Sequence, residues 1–188
     1  ETISRTGRGQ EGGWQLGCQD GRCLRQDAVV ICAALNSPAL LQPLGHPRPM
    51  QPVLGQALKL KITSGPTDWI GWPAVLVHRG YNLIPDGQGH LLLGATVELG
   101  ERSMPEPLQL MRHLDHSAPE WLHNASVLEH WSGLRARPVE RPAPVLELLE
   151  PGLLLATGHY RNGVLLTPAT AEWVEQNLKK SVSSSTCS

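Results

Sequence analysis

Residues 153–171, LLLATGHYRNGVLLTPATA, constrain this chain most, because a strand, a glycine-bracketed turn and a helix start are packed into one short segment. Leu153, Leu154, Leu155 and Ala156 form an apolar run of buried-strand length, and Gly158 ends it where the backbone must turn or approach something closely. Arg161 sits on the turn. Asn162-Gly163 suits positive φ, and Thr167-Pro168 reads as an N-cap followed by the first helical position, with helix continuing to Asn177. Such a junction directs unpaired backbone N–H groups at a space that an anion or an electron-rich ring can fill. An ordinary strand-to-helix connection with a solvated arginine accounts for these residues equally well.

The rest of the chain must build around that junction from short pieces. Nineteen Gly and 16 Pro, with six Trp and no Phe, speak against a helical bundle. With 16 basic and 17 acidic side chains there is no field to gather nucleic acid or an anionic membrane. The longest apolar run, residues 28–35, falls far short of the roughly 20 residues that cross a bilayer, so a soluble, cytoplasmic protein is the expectation. Cys18 and Cys23 flank an Asp20-Gly21 turn, but an isolated pair in a chain of this size reads as structural thiols. No histidine stands at ligand spacing from a cysteine, and no HExxH grouping occurs, so no metal site is expected.

In chain order, residues 1–13 are polar and glycine-rich, and residues 14–18 and 23–25 read as short strands around the turn. Residues 29–34 form an apolar strand of the kind buried on both faces of a parallel sheet, which needs neighbours that the preceding residues are too few to supply. The start of that domain is therefore expected to be missing. Gly7, Gly9 and Gly12 spell GxGxxG, but the dinucleotide fingerprint needs a strand before it and a helix after it, and the sequence offers neither. After one helical turn at 37–41 and a proline-rich crossover at 41–52, residues 53–62 read as a strand in which Gly55 marks a bulge or close approach. A loop at 64–73, strands at 74–78, 81–84 and 90–97, and a turn at 85–89 make an antiparallel meander. Helices are expected at 106–116 and 119–122, a strand at 127–134, a loop at 135–144, and a disordered serine-rich tail at 181–188.

No Ser/His/Asp or Cys/His order and no paired carboxylates stand out, so no catalytic residue is assigned. Two arginines do: Arg135 in WSGLR and Arg161 in GHYRNG, each at the end of an apolar strand. A guanidinium fork grips a carboxylate through two charge-assisted hydrogen bonds, which suits a small carboxylate ligand, though two surface ion pairs fit the composition as well.

The segments AVVICAALNSPALL, PVLGQALKL, LIPDGQGHLLLGATVE, WSGLRARP and LLLATGHYRNGVLLTPATA, in this order, resemble the second half of the FAD-dependent glycine oxidases of thiamine biosynthesis, in the D-amino-acid oxidase and sarcosine oxidase superfamily. The resemblance covers nearly the whole chain. It implies an α+β fold: an antiparallel-sheet substrate domain at 43–134, and the C-terminal part of a Rossmann-type FAD-binding domain at 1–42 and 135–180, with the N-terminal half missing. It further implies FAD as cofactor and oxidative deamination of glycine or a related small amine, with hydride to the flavin, an imine product and oxygen reduced to peroxide, supplying the thiazole of thiamine. By resemblance, Arg135 clamps the substrate carboxylate and Arg161 stands near the substrate entrance. His159, Tyr160, Arg161, Asn162, Gly163, Val164 and Leu165 match the turn against the flavin ring, with His159 a shape and hydrogen-bonding residue. Departures exist: Asn82, beside Tyr81, stands where some relatives have tyrosine, Ala34 replaces a glycine, and RARPVERPAP replaces a different loop. The partners implied are a small amino acid and the missing half of the FAD domain, with homo-oligomerisation left open; the chain alone is expected to be inactive. The rival readings are a non-catalytic domain without its own cofactor, or a sister D-amino-acid dehydrogenase or sarcosine oxidase.

Overall fold

The computed structural model describes residues 3–9, 13–63, 72, 74–86 and 89–185. The first strands are β1 (Ile3–Arg8), β2 (Trp14–Cys18), β3 (Cys23–Gln26) and β4 (Val29–Ile31), followed by α1 (Ser37–Leu41) and the long β5 (Met50–Lys61). Then come β6 (Leu76–His78), β7 (Tyr81–Pro85), β8 (His90–Gly94), β9 (Glu98–Leu99), α2 (Pro105–Arg112) and α3 (Glu120–His123). The chain closes with β10 (Ser126–Pro138), β11 (Val145–Glu150), β12 (Leu153–Thr157) and α4 (Gly163–Ser185). These elements form two compact units, one of residues 1–51 and 135–188 and one of residues 52–134.

In the first unit an antiparallel sheet β1-β2-β3 accompanies a mixed sheet β11-β12-β4. Val29–Ile31 runs parallel to Leu153–Leu155, and β11 lies antiparallel on the other side of β12. All five residues of β12 are buried. The core gathers Trp14, Val29, Ile31, Leu41, Val145, Leu153 and Leu155, so the strand that leads into the glycine-bracketed turn is anchored by the unit's own interior.

The second unit is a sheet ordered β10-β5-β8-β7-β6, with β9 also on β5. Leu58 and Leu60 of β5, Leu83 of β7, and Leu91 and Leu93 of β8 point to one face, where Met111, Leu114, Leu122 and Ala125 close the core. The buried Arg112 ties the two short helices together by donating to the carbonyls of Leu122, His123 and Ala125. The ladder of β5 breaks where its partner changes from β9 at Leu54 to β8 at Ala57. There Gln56 N–H donates to Thr96 Oγ1 (2.8 Å), and Gln56 Nε2 donates to the buried Glu98 carboxylate (2.9 Å). Desolvation pushes the Glu98 carboxyl up, but hydrogen bonds from Thr96, Gln56 and the Met104 N–H hold it below the usual carboxylate range.

Several elements differ from the sequence expectation, each for a physical reason. Ile3–Arg8 is a strand although most of its residues are polar or glycine, because pairing with β2 satisfies its backbone and only Thr6 is fully buried. Gly7 thus lies inside β1 and a strand follows it, while Gly12 falls outside the described residues. The apolar strand at 29–34 ends at Ile31, with a 3-10 turn at Ala34–Asn36. Pro138 ends β10 four residues beyond the expected strand, so Arg135, Ala136 and Arg137 are extended where a loop is expected. Strand β11 is not legible in VLELLE, because Glu147 and Glu150 are held by Arg48 and Arg141 and by His46 and Arg8. Helix α4 begins at Gly163 instead of Pro168, and it runs through Ser185 where composition points to a disordered tail, the helix begun at Gly163 propagating through residues of moderate propensity. The loop expected at 64–73, apart from Trp72, and the middle of the turn at 85–89 lie outside the described residues. Cys18, Cys23 and Cys32 are free thiols; Cys187 lies outside the described residues.

Candidate functional site

β12 delivers the chain into a tight turn lying on the end of β10. Gly158 has φ +65°, and a Cβ there would stand 2.7 Å from Pro138 Cγ and 3.3 Å from Met50 Cε, so both a left-handed backbone and a close approach require glycine. Tyr160 also adopts positive φ, at 55°. Asn162 and Gly163 do not, which corrects the expectation for that dipeptide: Asn162 N–H closes the turn on the His159 carbonyl (3.1 Å) and Gly163 is already helical. Thr167 is not an N-cap. Its Oγ1 donates to the Gly163 carbonyl (2.7 Å) from inside the first turns, and Pro168 is an interior helical residue.

The expected site residues occupy this one region. His159 bonds Thr170 of α4 through Nε2 (2.8 Å), which fixes the ring against the helix. Arg161 is exposed at the turn, whereas Arg135 is partly buried in β10. Burial lowers the Arg135 guanidinium pKa, the Arg161 charge acts in the same direction, and Tyr160 opposes them, so these side chains act on one another electrostatically. Arg137, two residues along β10, stands 5.9 Å from the Tyr160 ring centroid. The alternation of RARP carries the signal that would have found it, since Arg135 and Arg137 share one face of a strand while Ala136 and Pro138 are buried.

At the start of α4, Leu166 N–H is the first to find its helical acceptor, the Asn162 carbonyl (2.9 Å). The N–H groups of Gly163, Val164 and Leu165 therefore have no intrahelical partner. Val164 is 93% exposed and Leu165 80% exposed in this same turn. Orphan donors at the positive end of a helix, beside two bare aliphatic side chains, suit a flat ring with an electron-rich edge, so the residues present fit a flavin. Among the described residues no His, Cys, Asp and Glu are grouped to hold a metal ion, and no helix is long and apolar enough to cross a membrane.

A family model described as FAD dependent oxidoreductase matches residues 1–176. Glycine oxidase of Pseudomonas putida is 36% identical over 182 residues, covering 92% of this chain and 47% of the relative. The bifunctional protein ThiO/ThiG of a Nostoc species is 34% identical over 131 residues, 66% of this chain and 20% of the relative. Among solved structures, glycine oxidase from Geobacillus kaustophilus superposes with a TM-score of 0.80 at 24% identity, covering 95% of this chain and 48% of that one, so the two share a fold. The chain spans about half the length of the glycine oxidases it matches.

Proposed function

The chain belongs to the FAD-dependent oxidoreductase family, and on that premise we propose that it forms the substrate-facing part of an enzyme that oxidatively deaminates glycine or a related small amine. FAD, when bound, supplies the acceptor for a hydride from the substrate Cα and passes the electrons to oxygen. The residues of this chain then bind and orient. Arg135 clamps the substrate carboxylate, its partly buried position in β10 making the charge-assisted fork stronger than a solvated one. Arg161, exposed on the turn, draws the anion towards the site. His159–Leu165 would form the ring-side turn: His159 braces it through Thr170, the unpartnered N–H groups of 163–165 would offer donors to the bound flavin, and Val164 and Leu165 would supply an apolar cover for its ring. No side-chain acid or base is required of the chain, since a neutral amine loses hydride and its imine product hydrolyses in water.

The observation that carries this reading is the coincidence, in one turn, of orphan helix N–H groups, two bare aliphatic residues and adjoining arginines. The names of the ThiO/ThiG relatives support the further proposal that the imine feeds the thiazole of thiamine. The rest of an FAD-binding domain is the partner proposed for β4 and the mixed sheet, in keeping with the half of the relatives' length that this chain does not match. Purifying the protein with that complement, recording flavin absorbance, and following peroxide and glyoxylate from glycine tests the proposal. Flavin-loaded protein that forms neither product from any small amino acid would refute it.

A further inference from the structure

Just past the end of α2, the imidazole of His113 stacks on that of His123 in α3, with ring centroids 4.5 Å apart and planes 30° from parallel. Its Nδ1 is buried and has no hydrogen-bond partner. A neutral ring can leave a bare lone pair there, whereas an imidazolium carries N–H on both nitrogens and would bury an unpaired donor. Burial holds the His113 pKa below the usual histidine range, and His123, Arg112 and His116 push it the same way. The stack also closes a strained stretch. Leu114, Asp115 and His116 follow one another at φ 46°, 51° and 68°, a conformation costly for residues that carry a Cβ. Leu114, Leu122 and Ala125, on that stretch and around α3, belong to the buried core of the second unit, so both pieces must stay seated for the core to stay covered. The charged groups nearby leave the pair without a counter-ion: Asp115 accepts from the Tyr81 hydroxyl (3.1 Å), His78 is bonded to Ser117 Oγ (3.0 Å), and Glu120 is exposed at the start of α3. Among the described residues the histidines in ion pairs are His46 and His90. His113 further lines an open groove of about 390 Å³ with Pro105, Glu106, Gln109, Leu110 and His116, which gives a charged ring space to swing into.

We propose that the His113–His123 stack is a pH-sensitive latch within the second unit: neutral, it holds α3 and the 114–116 turn against α2, and on taking up a proton it parts and lets them lift from the core. Arg112 makes the response steep. Its guanidinium is fixed by the carbonyls of Leu122, His123 and Ala125, so its charge cannot move away from a protonated neighbour while the stack is closed. Glu106, on the same groove, is the carboxylate with which the freed His113 ring pairs, and the released turn sheds its strain. Because the closed form disfavours the proton, the latch contributes fully above the ordinary histidine value of about 6.5 and weakens as pH falls below it.

The test is amide hydrogen exchange of the complete protein between about pH 7.5 and about pH 5.5, corrected for the intrinsic pH dependence of exchange, on the parent and on His123→Phe and His116→Gln. Over residues 113–125 the parent should lose about tenfold in protection on acidification, while β5 and β8 keep theirs. His123→Phe retains a ring to stack and removes a charge, and its loss should be about threefold or less; His116→Gln, which touches neither ring of the stack, should follow the parent. An NMR titration of the parent should find His113 titrating below about 6.5, with the His123 ring signals moving in the same step. Protection over 113–125 that ignores pH, or that falls as far in His123→Phe as in the parent, overturns the proposal, and so does a His113 that titrates at about 6.5 or above. Should His123→Phe fail to fold, the parent's exchange profile and its His113 titration decide the matter between them.

Discussion

Gly158 and Pro138 are in closer contact than any other residue would permit, since a Cβ on Gly158 would fall 2.7 Å from Pro138 Cγ. The same glycine has φ +65°, so its replacement meets a steric and a conformational obstacle together. Gly158→Ala should therefore lift the turn off β10, costing about 1–3 kcal/mol of stability and loosening flavin retention. Thermal unfolding and flavin fluorescence of the complete protein measure both effects, and a variant with parental values for each would contradict the prediction.

Arg135 and Arg161 influence one another electrostatically but differ in solvent exposure, and that difference sets their expected contributions. Removing the partly buried Arg135 leaves the substrate carboxylate without its bidentate partner, an expected loss of roughly 2–5 kcal/mol in transition-state binding. Arg161→Ala, at the exposed turn, should cost less than about 1 kcal/mol and mainly flatten the response to salt, since the charge that salt would screen is gone. Steady-state kinetics on both variants decide it; equal, small effects would remove Arg135 from the clamp role.

Gly163 offers the opposite outcome to Gly158. It is helical, and the nearest atom to an added Cβ is His159 Cβ at 3.7 Å, an ordinary contact. Gly163→Ala should fold, retain flavin and gain up to about 1 kcal/mol, because alanine loses less entropy on entering the helix. Loss of flavin absorbance in a folded Gly163→Ala protein would show that the turn needs glycine there.

The contrast between those two glycines marks where residue patterns suffice. Leu153–Thr157 is recognisable because four consecutive aliphatic residues bounded by glycine must be buried, and the parallel partner Val29–Ile31 announces itself by the same apolar density. The helix start is not recognisable: Thr167-Pro168 has the composition of a cap and first position, yet Thr167 bonds back to Gly163 and the helix absorbs Pro168. Arg137 is hidden because prolines at 138, 142 and 144 make its surroundings read as loop, while β10 in fact extends to Pro138. Strand β11 is hidden for an electrostatic reason, its glutamates finding Arg8, His46 and Arg48 far from it in sequence as well as the nearby Arg141.

That ion-pair group predicts an acid limb of stability. Desolvation pushes the Glu147 carboxyl up, but Arg48 and Arg141 more than offset it, leaving it below the usual carboxylate range. Glu150 is lowered first by the hydrogen bond with His46 and then by Arg8. A depressed folded-state pKa means stabilisation that is present above the unfolded-state value and lost as pH falls through the folded one, hence below about pH 4. Glu147→Gln should lower stability near neutrality by about 0.5–1 kcal/mol and flatten the decline on acidification. Urea titrations from about pH 3 to pH 7 would reveal this, and an acid slope identical to the parent's would exclude Glu147 as a contributor.

The 188-residue chain by itself should bind FAD only weakly. Tight dinucleotide binding draws on N–H groups at a helix N-terminus directly after a glycine-rich turn. Here Gly7 lies within β1, the Gly9 N–H is already engaged with the Gly13 carbonyl (3.2 Å), and strand β2 follows, so among the described residues that stretch offers a pyrophosphate no helix end. The start of α4 supplies a surface for the ring alone. Ring contacts from Val164 and Leu165 bury apolar area, but without charge-compensating donors for the phosphates they leave most of the cofactor's binding energy unrealised. Fluorescence quenching of FAD by the isolated chain should thus show affinity weaker than micromolar and no peroxide from glycine, and addition of the complementary half of the FAD domain should tighten binding markedly. Micromolar or tighter binding by the chain alone, with turnover of glycine, would show that the ring-side turn suffices.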